Sequence, residues 1–297
     1  AENTGAGVHV YVIDTGIDAD HKDLSSNVSN GYSVEMCIGL GCSSDWDDDQ
    51  GHGTHVAGTI GAIDNNIDVI GVAPAVTLHA VKVLNTAGSG TNSGVIAGID
   101  WVAQQAESLG VAVVANMSLG GDGTKTGTCT DNGFVGSDNF HRAICNAKNQ
   151  GVIFAVAAGN DNADAYSSTP AAYDDAVITV SATNVNNDWA GFSNWGNGTA
   201  SWTIHKSAPV AIAAPGADIL STQNGGGTTA MSGTSMAAPH VAGVLALYLE
   251  SISLNPDGSA FGAARDWLLY NSEPNANLTN STGQAHQEDF LNAEITQ

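Results

Sequence analysis

The sequence predicts one doubly wound α/β domain, with a mostly parallel sheet and helices on both of its faces. Three observations predict this fold class: short β-branched runs, longer helical patterns between them, and no repeat, Pro-rich linker or composition break that divides the chain. Runs that are apolar along their whole length are typical of strands buried on both faces, as in a parallel sheet. At 297 residues the chain can bury one large core, so we expect a single domain over residues 1–297.

The predicted elements alternate along the chain. "VHVYVID" (8–14) predicts a first strand that ends in Asp14 and a Gly turn, and "THVAGTIGAI" (54–63) continues a helix of small residues that begins near His52. β-Branched and other apolar residues predict further strands, and longer periodic stretches predict helices between them. The remaining strands are predicted at 77–84, 111–119, 152–160 and 176–183, and the remaining helices at 93–110 and in "GTSMAAPHVAGVLAL" (233–247).

Composition and charge exclude two classes of partner. Seven basic against thirty acidic residues give a formal charge of −23, which opposes binding to nucleic acid and to anionic membranes. No run approaches the roughly 18 apolar residues of a membrane-spanning helix. The first residues lack an initiator Met and the features of a signal peptide, which fits a processed, mature chain and a trimmed cytosolic protein equally well.

The four cysteines form two local pairs, Cys37 with Cys42 and Cys129 with Cys145. An even count in Gly-, Asn- and Ser-rich surroundings predicts two disulfides that close small loops, and hence an oxidising compartment. Four free thiols are the alternative. A zinc site is disfavoured because neither pair has CxxC spacing.

Polar residues suited to catalysis end predicted strands or begin predicted helices. Asp14 and Asn160 end two strands, and His52 and Ser235 begin two helices. Ligands of open parallel sheets bind beyond the carboxyl ends of the strands. A serine hydroxyl needs an adjacent base, usually a His whose orientation a carboxylate fixes. Singly, each residue has an ordinary interpretation as a cap, turn or packing residue; together they indicate a nucleophilic site.

Five segments resemble the subtilase family of serine endopeptidases. They are "VIDTGID", "GHGTHVAGTI", "SLGG", "AVAAGN" and "SGTSMAAPHVAG", and they follow one another between about residues 8 and 250. The chain order Asp, His, Ser is also that of subtilisin. The resemblance implies a subtilisin-like fold in which Ser235 is the nucleophile, His52 the general base and then acid, and Asp14 the carboxylate that orients His52. It also implies that the side chain of Asn160 donates to the oxyanion.

The resemblance further implies a groove that binds an extended polypeptide as an added strand. Its two binding strands match Gly88, Ser89 and Gly90, and Ser118, Leu119 and Gly120, with Asn92 on the outer wall. The S1 pocket is expected around Asn160, where small Ala and Gly residues favour an apolar or aromatic P1 side chain. Asp161 and Asp164 near its rim would also tolerate a basic one.

The acidic segment "DWDDDQGHG" leaves alternatives open. Asp48 and Asp49 precede His52 where related processing proteases bind a basic P2 side chain, but Gln50 stands where those sequences carry an acid. The segment is either a surface or calcium-binding loop or an acidic S2 wall that includes Asp49. Three functions are therefore compared: a broad serine endopeptidase, a processing protease that prefers basic residues, and a catalytically silent binding module.

The resemblance implies one structural Ca²⁺ site. "AIDNNIDVIGVAP" matches the calcium loop of subtilisin, and the implied ligands are the side chains of Asp23 and Asn65 and the carbonyls of Ile63, Ile67 and Val69. The expected partners are polypeptide substrates and the chain's own pro-segment during maturation. We expect a secreted monomer.

Overall fold

The computed structural model describes residues 3–34, 45–198, 207–274 and 288–292, together with the backbone of 278–279 and 285–286. The described helices are α1 (His52–Gly61), α2 (Asn92–Leu109), α3 (Asn139–Lys148), α4 (Thr234–Ser251) and α5 (Ser259–Tyr270), with a 3₁₀ turn at Ala165–Ser167. The described strands are β1 (His9–Asp14), β2 (Val28–Ser33), β3 (Thr77–Lys82), β4 (Val113–Met117), β5 (Gly121–Asp122), β6 (Thr128–Thr130), β7 (Gly133–Val135), β8 (Val152–Ala157), β9 (Ser168–Thr169), β10 (Ile178–Thr183), β11 (Val210–Pro215), β12 (Ile219–Thr222), β13 (Thr228–Met231), β14 (Leu278–Thr279), β15 (Ala285–His286) and β16 (Asp289–Phe290).

Eight strands form one sheet, in the order β16-β11-β10-β8-β4-β1-β3-β2. Every neighbouring pair within it is parallel. On one side of β1 the strands β4, β8, β10, β11 and β16 follow in chain order, and on its other side lie β3 and then β2. Strands added on both sides of β1 are the arrangement of a doubly wound fold. The predicted fold class is therefore confirmed.

The core lies on both faces of this sheet. Along β1, Val10 and Val12 pack on the face covered by α1, α4 and α5, whereas Tyr11 and Ile13 pack on the face covered by α2 and α3. Alternate residues of a strand point to opposite faces, so a strand buried on both sides is apolar throughout. This burial explains the continuous apolar runs from which the strands were predicted.

Helix α4 is apolar on all sides and buried along most of its length. It packs against α1 and against the central strands β4, β8, β10 and β11. Because an all-round apolar helix is stable only inside a core, its first turn is held at a fixed place relative to the sheet. Ser235 lies in that first turn.

A disulfide connects Cys129 of β6 to Cys145 of α3, with an S–S distance of 2.07 Å. Cys37 and Cys42 lie outside the described residues. Within the described ranges, no helix combines the length and apolar character needed to cross a membrane.

Candidate active site

The candidate catalytic residues meet at the carboxyl edge of the sheet. Asp14 ends β1, Ser118 follows β4, and Asn160 follows β8, and these three strands are neighbours in the sheet. His52 is the first residue of α1, and Ser235 is in the first turn of α4. The same edge thus holds every residue of the implied catalytic set.

Asp14 and His52 form a close pair. The Nδ1 atom of His52 lies 2.8 Å from Oδ1 and 3.0 Å from Oδ2 of Asp14. Asp14 is fully buried, whereas a quarter of the His52 side chain is exposed. The negative charge of Asp14 raises the pKa of His52 above its ordinary value, and this effect outweighs the opposing effect of burial. With Nδ1–H donating to Asp14, Nε2 is the ring nitrogen available to act as a base.

Ser235 makes a different contact in this structure. Its Oγ donates to the carbonyl of Ser118 at 3.3 Å, and among the described residues it has no hydrogen bond to His52. Such bonds are often long before substrate binds and shorten in the complex. The backbone of Ser235 is also held, because Ser118 Oγ donates to its carbonyl at 2.7 Å and itself accepts from Asn116 Nδ2 at 2.9 Å.

Thr234 sets the orientation of the Asn160 amide. Asn160 Oδ1 accepts from the Thr234 backbone N–H at 2.8 Å and from Thr234 Oγ1 at 3.1 Å. Thr234 Oγ1 in turn accepts from the backbone N–H of Gly159 at 3.0 Å. Because the carbonyl end of the amide is occupied, the Nδ2 end is left to donate to a ligand. The backbone N–H of Ser235, in the first turn of α4, has no partner within its helix and can donate beside it.

Two clefts meet at this site. One has a volume of 540 Å³ and is lined by Gly88, Ser89, Gly90, Asn92, Ser118, Leu119, Gly120 and His52 among others. The other has a volume of 330 Å³ and is lined by Ala157, Ala158, Asn160, Asp161, Asp122 and Ser235 among others. The groove residues implied by the resemblance therefore lie along these clefts, with Asp161 in the second.

Asp48 and Asp49 line neither cleft. Asp49 is partly exposed, and its Oδ1 lies 2.7 Å from Nζ of Lys82, which is only 2% exposed. Asp48 is 3% exposed and accepts hydrogen bonds from the loop before α1 and from α1 itself. Both carboxylates are thus engaged within the protein, and this geometry does not favour an acidic S2 wall.

The implied calcium ligands gather around the buried side chain of Asp23. Its Oδ1 accepts from Asn65 Nδ2 at 2.8 Å and its Oδ2 from the Val69 backbone N–H at 3.1 Å. Ile63 N–H donates to the Asp23 carbonyl, and Ile67 N–H donates to Asn65 Oδ1. One buried carboxylate, one amide and three carbonyls of one loop are the oxygen donors that Ca²⁺ takes. The types of donor therefore fit Ca²⁺. Both oxygens of Asp23 accept N–H groups in this structure, so Asn65 would have to turn its amide oxygen toward the ion and the Val69 N–H would have to release Asp23. In the described residues no three His, Cys, Asp or Glu side chains are grouped to hold a metal ion.

Sequence reasoning did not find the roles of Thr234, Thr15 or Asp48. Thr15 Oγ1 donates to Asp48 at 2.8 Å and accepts from Gly53 N–H at 2.9 Å. Thr234 and Thr15 are adjacent in sequence to Ser235 and Asp14, and Asp48 lies four residues before His52. That adjacency was the available signal, but it does not identify the distant bonding partner.

The fold and the site together define an α/β protein with a candidate Asp–His–Ser triad at the carboxyl edge of its sheet. A family model described as the subtilase family matches residues 5–284. The chain belongs to the subtilase family.

Several known proteins are similar to this chain. A subtilisin-like protease of Coccidioides posadasii is 44% identical over 256 residues, which are 85% of this chain and 55% of that protein. An extracellular serine proteinase of a Thermus species is 43% identical over 274 residues, covering 92% of this chain and 57% of that protein. The crystal structure of a cold-adapted subtilisin-like serine proteinase is similar with a TM-score of 0.77 and 37% identity, and the match covers 98% of this chain and 91% of that one. The chain spans about half the length of the curated relatives that it matches.

Proposed function

We propose that this chain is the single catalytic domain of a secreted serine endopeptidase that cleaves polypeptides through an acyl-enzyme. The observation that carries the proposal is the pairing of His52 with buried Asp14 at 2.8 Å, at the edge where Ser235 begins α4 and Asn160 presents a free N–H group. No other pair of a base and an orienting carboxylate in the described residues borders the two clefts.

The proposed reaction begins when Ser235 Oγ attacks the carbonyl carbon of the scissile peptide bond. Nε2 of His52 takes the hydroxyl proton, and Asp14 stabilises the resulting imidazolium through Nδ1–H. The negative charge that develops on the carbonyl oxygen is stabilised by N–H donation from Asn160 Nδ2 and from the Ser235 backbone. His52 then protonates the leaving amine, and a water molecule hydrolyses the acyl-enzyme by the same route.

The substrate is proposed to bind as an extended strand along residues 88–90 and 118–120. Backbone hydrogen bonds of this kind provide affinity with little demand on sequence. The second cleft is floored by Ala157 and Ala158, which favours an apolar or aromatic P1 side chain and broad specificity. A preference for basic residues is the second candidate, because Asp122 and Asp161 also line that cleft.

Calcium, secretion and maturation complete the proposal. Ca²⁺ bound by Asp23 and its loop would stabilise the folded state, since it would bind that state alone. Secretion is supported by the disulfide and by the extracellular serine proteinase among the relatives. A pro-segment is proposed as a partner during maturation, and the active form is proposed to be a monomer.

The test is cleavage of a mixed peptide library by the protein and by its Ser235→Ala variant. We expect the variant to lose cleavage while keeping its fold, and we expect the products to show apolar or aromatic P1 residues. Enrichment of Lys or Arg at P1 would favour the second candidate instead. Equal cleavage by both proteins would refute the assignment of Ser235, and no cleavage by either would favour a binding module.

A further inference from the structure

Asp48 is a buried carboxylate that receives five hydrogen bonds. Its Oδ1 accepts from Thr15 Oγ1 at 2.8 Å and from the backbone N–H groups of Gln50 at 3.0 Å and Gly51 at 2.9 Å. Its Oδ2 accepts from Thr54 N–H at 2.9 Å and from Thr54 Oγ1 at 2.6 Å. Thr15 directly follows β1, Gln50 and Gly51 directly precede α1, and Thr54 lies in the first turn of α1.

The partners of Asp48 adjoin the two residues of the catalytic pair. Thr15 directly follows Asp14, and its backbone N–H donates to Asp14 Oδ1 at 2.7 Å. Gly51 directly precedes His52. In addition, Thr15 Oγ1 accepts from Gly53 N–H at 2.9 Å, so the same hydroxyl contacts the residue on the other side of His52. One carboxylate and one hydroxyl therefore connect the strand that carries Asp14 to the helix that carries His52.

We propose that Asp48 is a positioning residue for catalysis, which fixes the separation of Asp14 and His52 by binding the end of β1 with one oxygen and the first turn of α1 with the other. The inference rests on the proposed function of Asp14 and His52. Asp48 contacts neither cleft. A positioning role is an alternative to the two interpretations of the acidic segment, as a surface or calcium-binding loop and as an S2 wall.

The hydrogen bonds around Asp48 stabilise its negative charge. Burial alone would raise its pKa, but the hydrogen bonds from the Thr54 hydroxyl and from the Gly51, Gln50 and Thr54 backbones bring that pKa below the ordinary value. Asp48 is therefore ionised at every pH at which His52 can act as a base. An anion at a helix N-terminus is also stabilised by the unpaired N–H groups there. Gly51 itself has no side chain that could cap α1, and Asp48 takes over that task from three residues earlier.

The side chain of Lys82 also contacts Thr15 and the loop that carries Asp48. Lys82, at the end of β3, donates from Nζ to the Thr15 carbonyl at 2.6 Å and to Asp49 Oδ1 at 2.7 Å. Thr15 thus has its carbonyl bound by Lys82, its hydroxyl bound by Asp48 and its N–H bound by Asp14. With Thr15 fixed in this way, the position of Asp48 determines where α1 can begin.

The carboxylate also contributes to the electrostatics of His52. The charged groups that act on His52 are Asp14 on β1 and Asp48 in the preceding loop, and both raise its pKa. The second ring on α1, His55, has its own pKa lowered, first by burial. Loss of the negative charge of Asp48 should therefore lower the pKa of His52, in addition to any change in position.

The direct test is Asp48→Asn, measured against Asp47→Asn as the charge-matched control. Asparagine has the shape of aspartate, but its NH₂ group would face donors on one side or the other, either Thr54 or the Thr15, Gln50 and Gly51 set. We expect kcat to fall by about tenfold to a hundredfold with KM within about twofold, since misplacement of a catalytic group by a fraction of an ångström affects the chemical step. We also expect the acidic limb of the kcat/KM profile to move to lower pH.

Asp47 is the appropriate control because its residue is exposed. Its pKa is shifted by partial burial, by Asp45 and Asp18, by a hydrogen bond from the Asp48 backbone and by Asp20, but not by His52. Asp47→Asn should leave kcat and the pH profile as in the unmodified protein. A merely structural role for Asp48 would lower the melting temperature without changing kcat or the pH profile of the folded enzyme. Equal kcat values for Asp48→Asn and Asp47→Asn would therefore overturn the proposal.

A second pair of variants tests the positioning role of Asp48 if Asp48→Asn does not fold. Thr15→Val removes the hydroxyl that joins Asp48 to Gly53, and Thr15→Ser keeps it. We expect Thr15→Val to lose kcat by about tenfold or more and Thr15→Ser to retain it. Equal kcat for the two would count against the proposal. Failure of the proposed function itself is recognised separately, because the unmodified protein would then cleave peptides no better than Ser235→Ala.

Discussion

Gly53 lies where α1 closely approaches the end of β1 and the turn that follows it. A Cβ atom at this position would lie 2.2 Å from the carbonyl oxygen of Gly16 and 3.2 Å from the Cβ atom of Asp14. The atom that obstructs it is a backbone oxygen, so no change of rotamer can relieve the contact. Gly53→Ala must therefore move the helix that carries His52 away from the strand that carries Asp14.

The size of the effect follows from these distances. To restore an ordinary contact, the helix and the strand must separate by about 1 Å, a displacement that costs about 100-fold when it affects catalytic groups. The His52–Asp14 distance of 2.8 Å would increase beyond the range of a hydrogen bond. Overpacking of this kind also costs about 1–3 kcal/mol of stability.

The assay is kcat and KM on a peptide substrate, with the fraction of reactive serine titrated and the melting temperature measured by calorimetry. Gly262→Ala is the matched control, because a Cβ there would meet no atom within 4 Å and Gly262 lies inside α5. Alanine at that position should leave kcat unchanged and stabilise the protein by about 0.5–1 kcal/mol. A Gly53→Ala protein with kcat within about threefold of the unmodified protein would refute the argument from close approach.

Three further predictions concern stability and pH. Replacing Cys129 and Cys145 together by Ala should lower the free energy of unfolding by about 3 kcal/mol, because the disulfide closes a loop with a sequence separation of 16. An unchanged melting temperature would contradict this prediction. The kcat should not change, since neither residue lines a cleft. The acidic limb of the kcat/KM profile should lie above the ordinary imidazole pKa, because Asp14 raises the pKa of His52. Only the neutral ring accepts a proton, so activity is lost as the pH falls through that raised pKa. A limb below the ordinary imidazole pKa would show that the charge of Asp14 does not act on His52. Finally, Ca²⁺ at about 100 times its Kd should stabilise the protein by about 2.7 kcal/mol relative to the protein in a chelator. The substitution Asp23→Asn should abolish this difference. Equal melting temperatures of the unmodified protein with and without chelator would refute the proposed calcium site.

The sheet and the place of the site could be predicted because both depend on local patterns. A strand buried on both faces must be apolar throughout, so "VIFAVA" is recognisable without knowledge of its neighbours. Strand β11, "VAIAAP", is buried and apolar like the others, but it was not predicted. Strand β2 was not predicted, since it lies at the edge of the sheet and its sequence, "VSNGYS", is mostly polar and partly exposed. An edge strand is buried on fewer sides, and its sequence is constrained less.

The bonding partners within the site could not be predicted, because they lie far apart in the chain. Thr234 holds the Asn160 amide across 74 residues, and Asp48 meets Thr15 across 33. The sequence shows that these side chains can donate or accept, but not which of many possible partners each one meets. Asp49 illustrates the difficulty: beside His52 it suggests a binding wall, and only the buried ammonium of Lys82 explains its charge.

Amine-directed attachment to a solid support would find few reactive positions on this protein. The chain has only five lysines, and Lys82 and Lys148 are each only 2% exposed and paired with carboxylates. The ammonium groups that remain are few enough for coupling to give a small number of defined orientations. Because Lys82 is shielded, such coupling would leave the loop beside His52 unmodified.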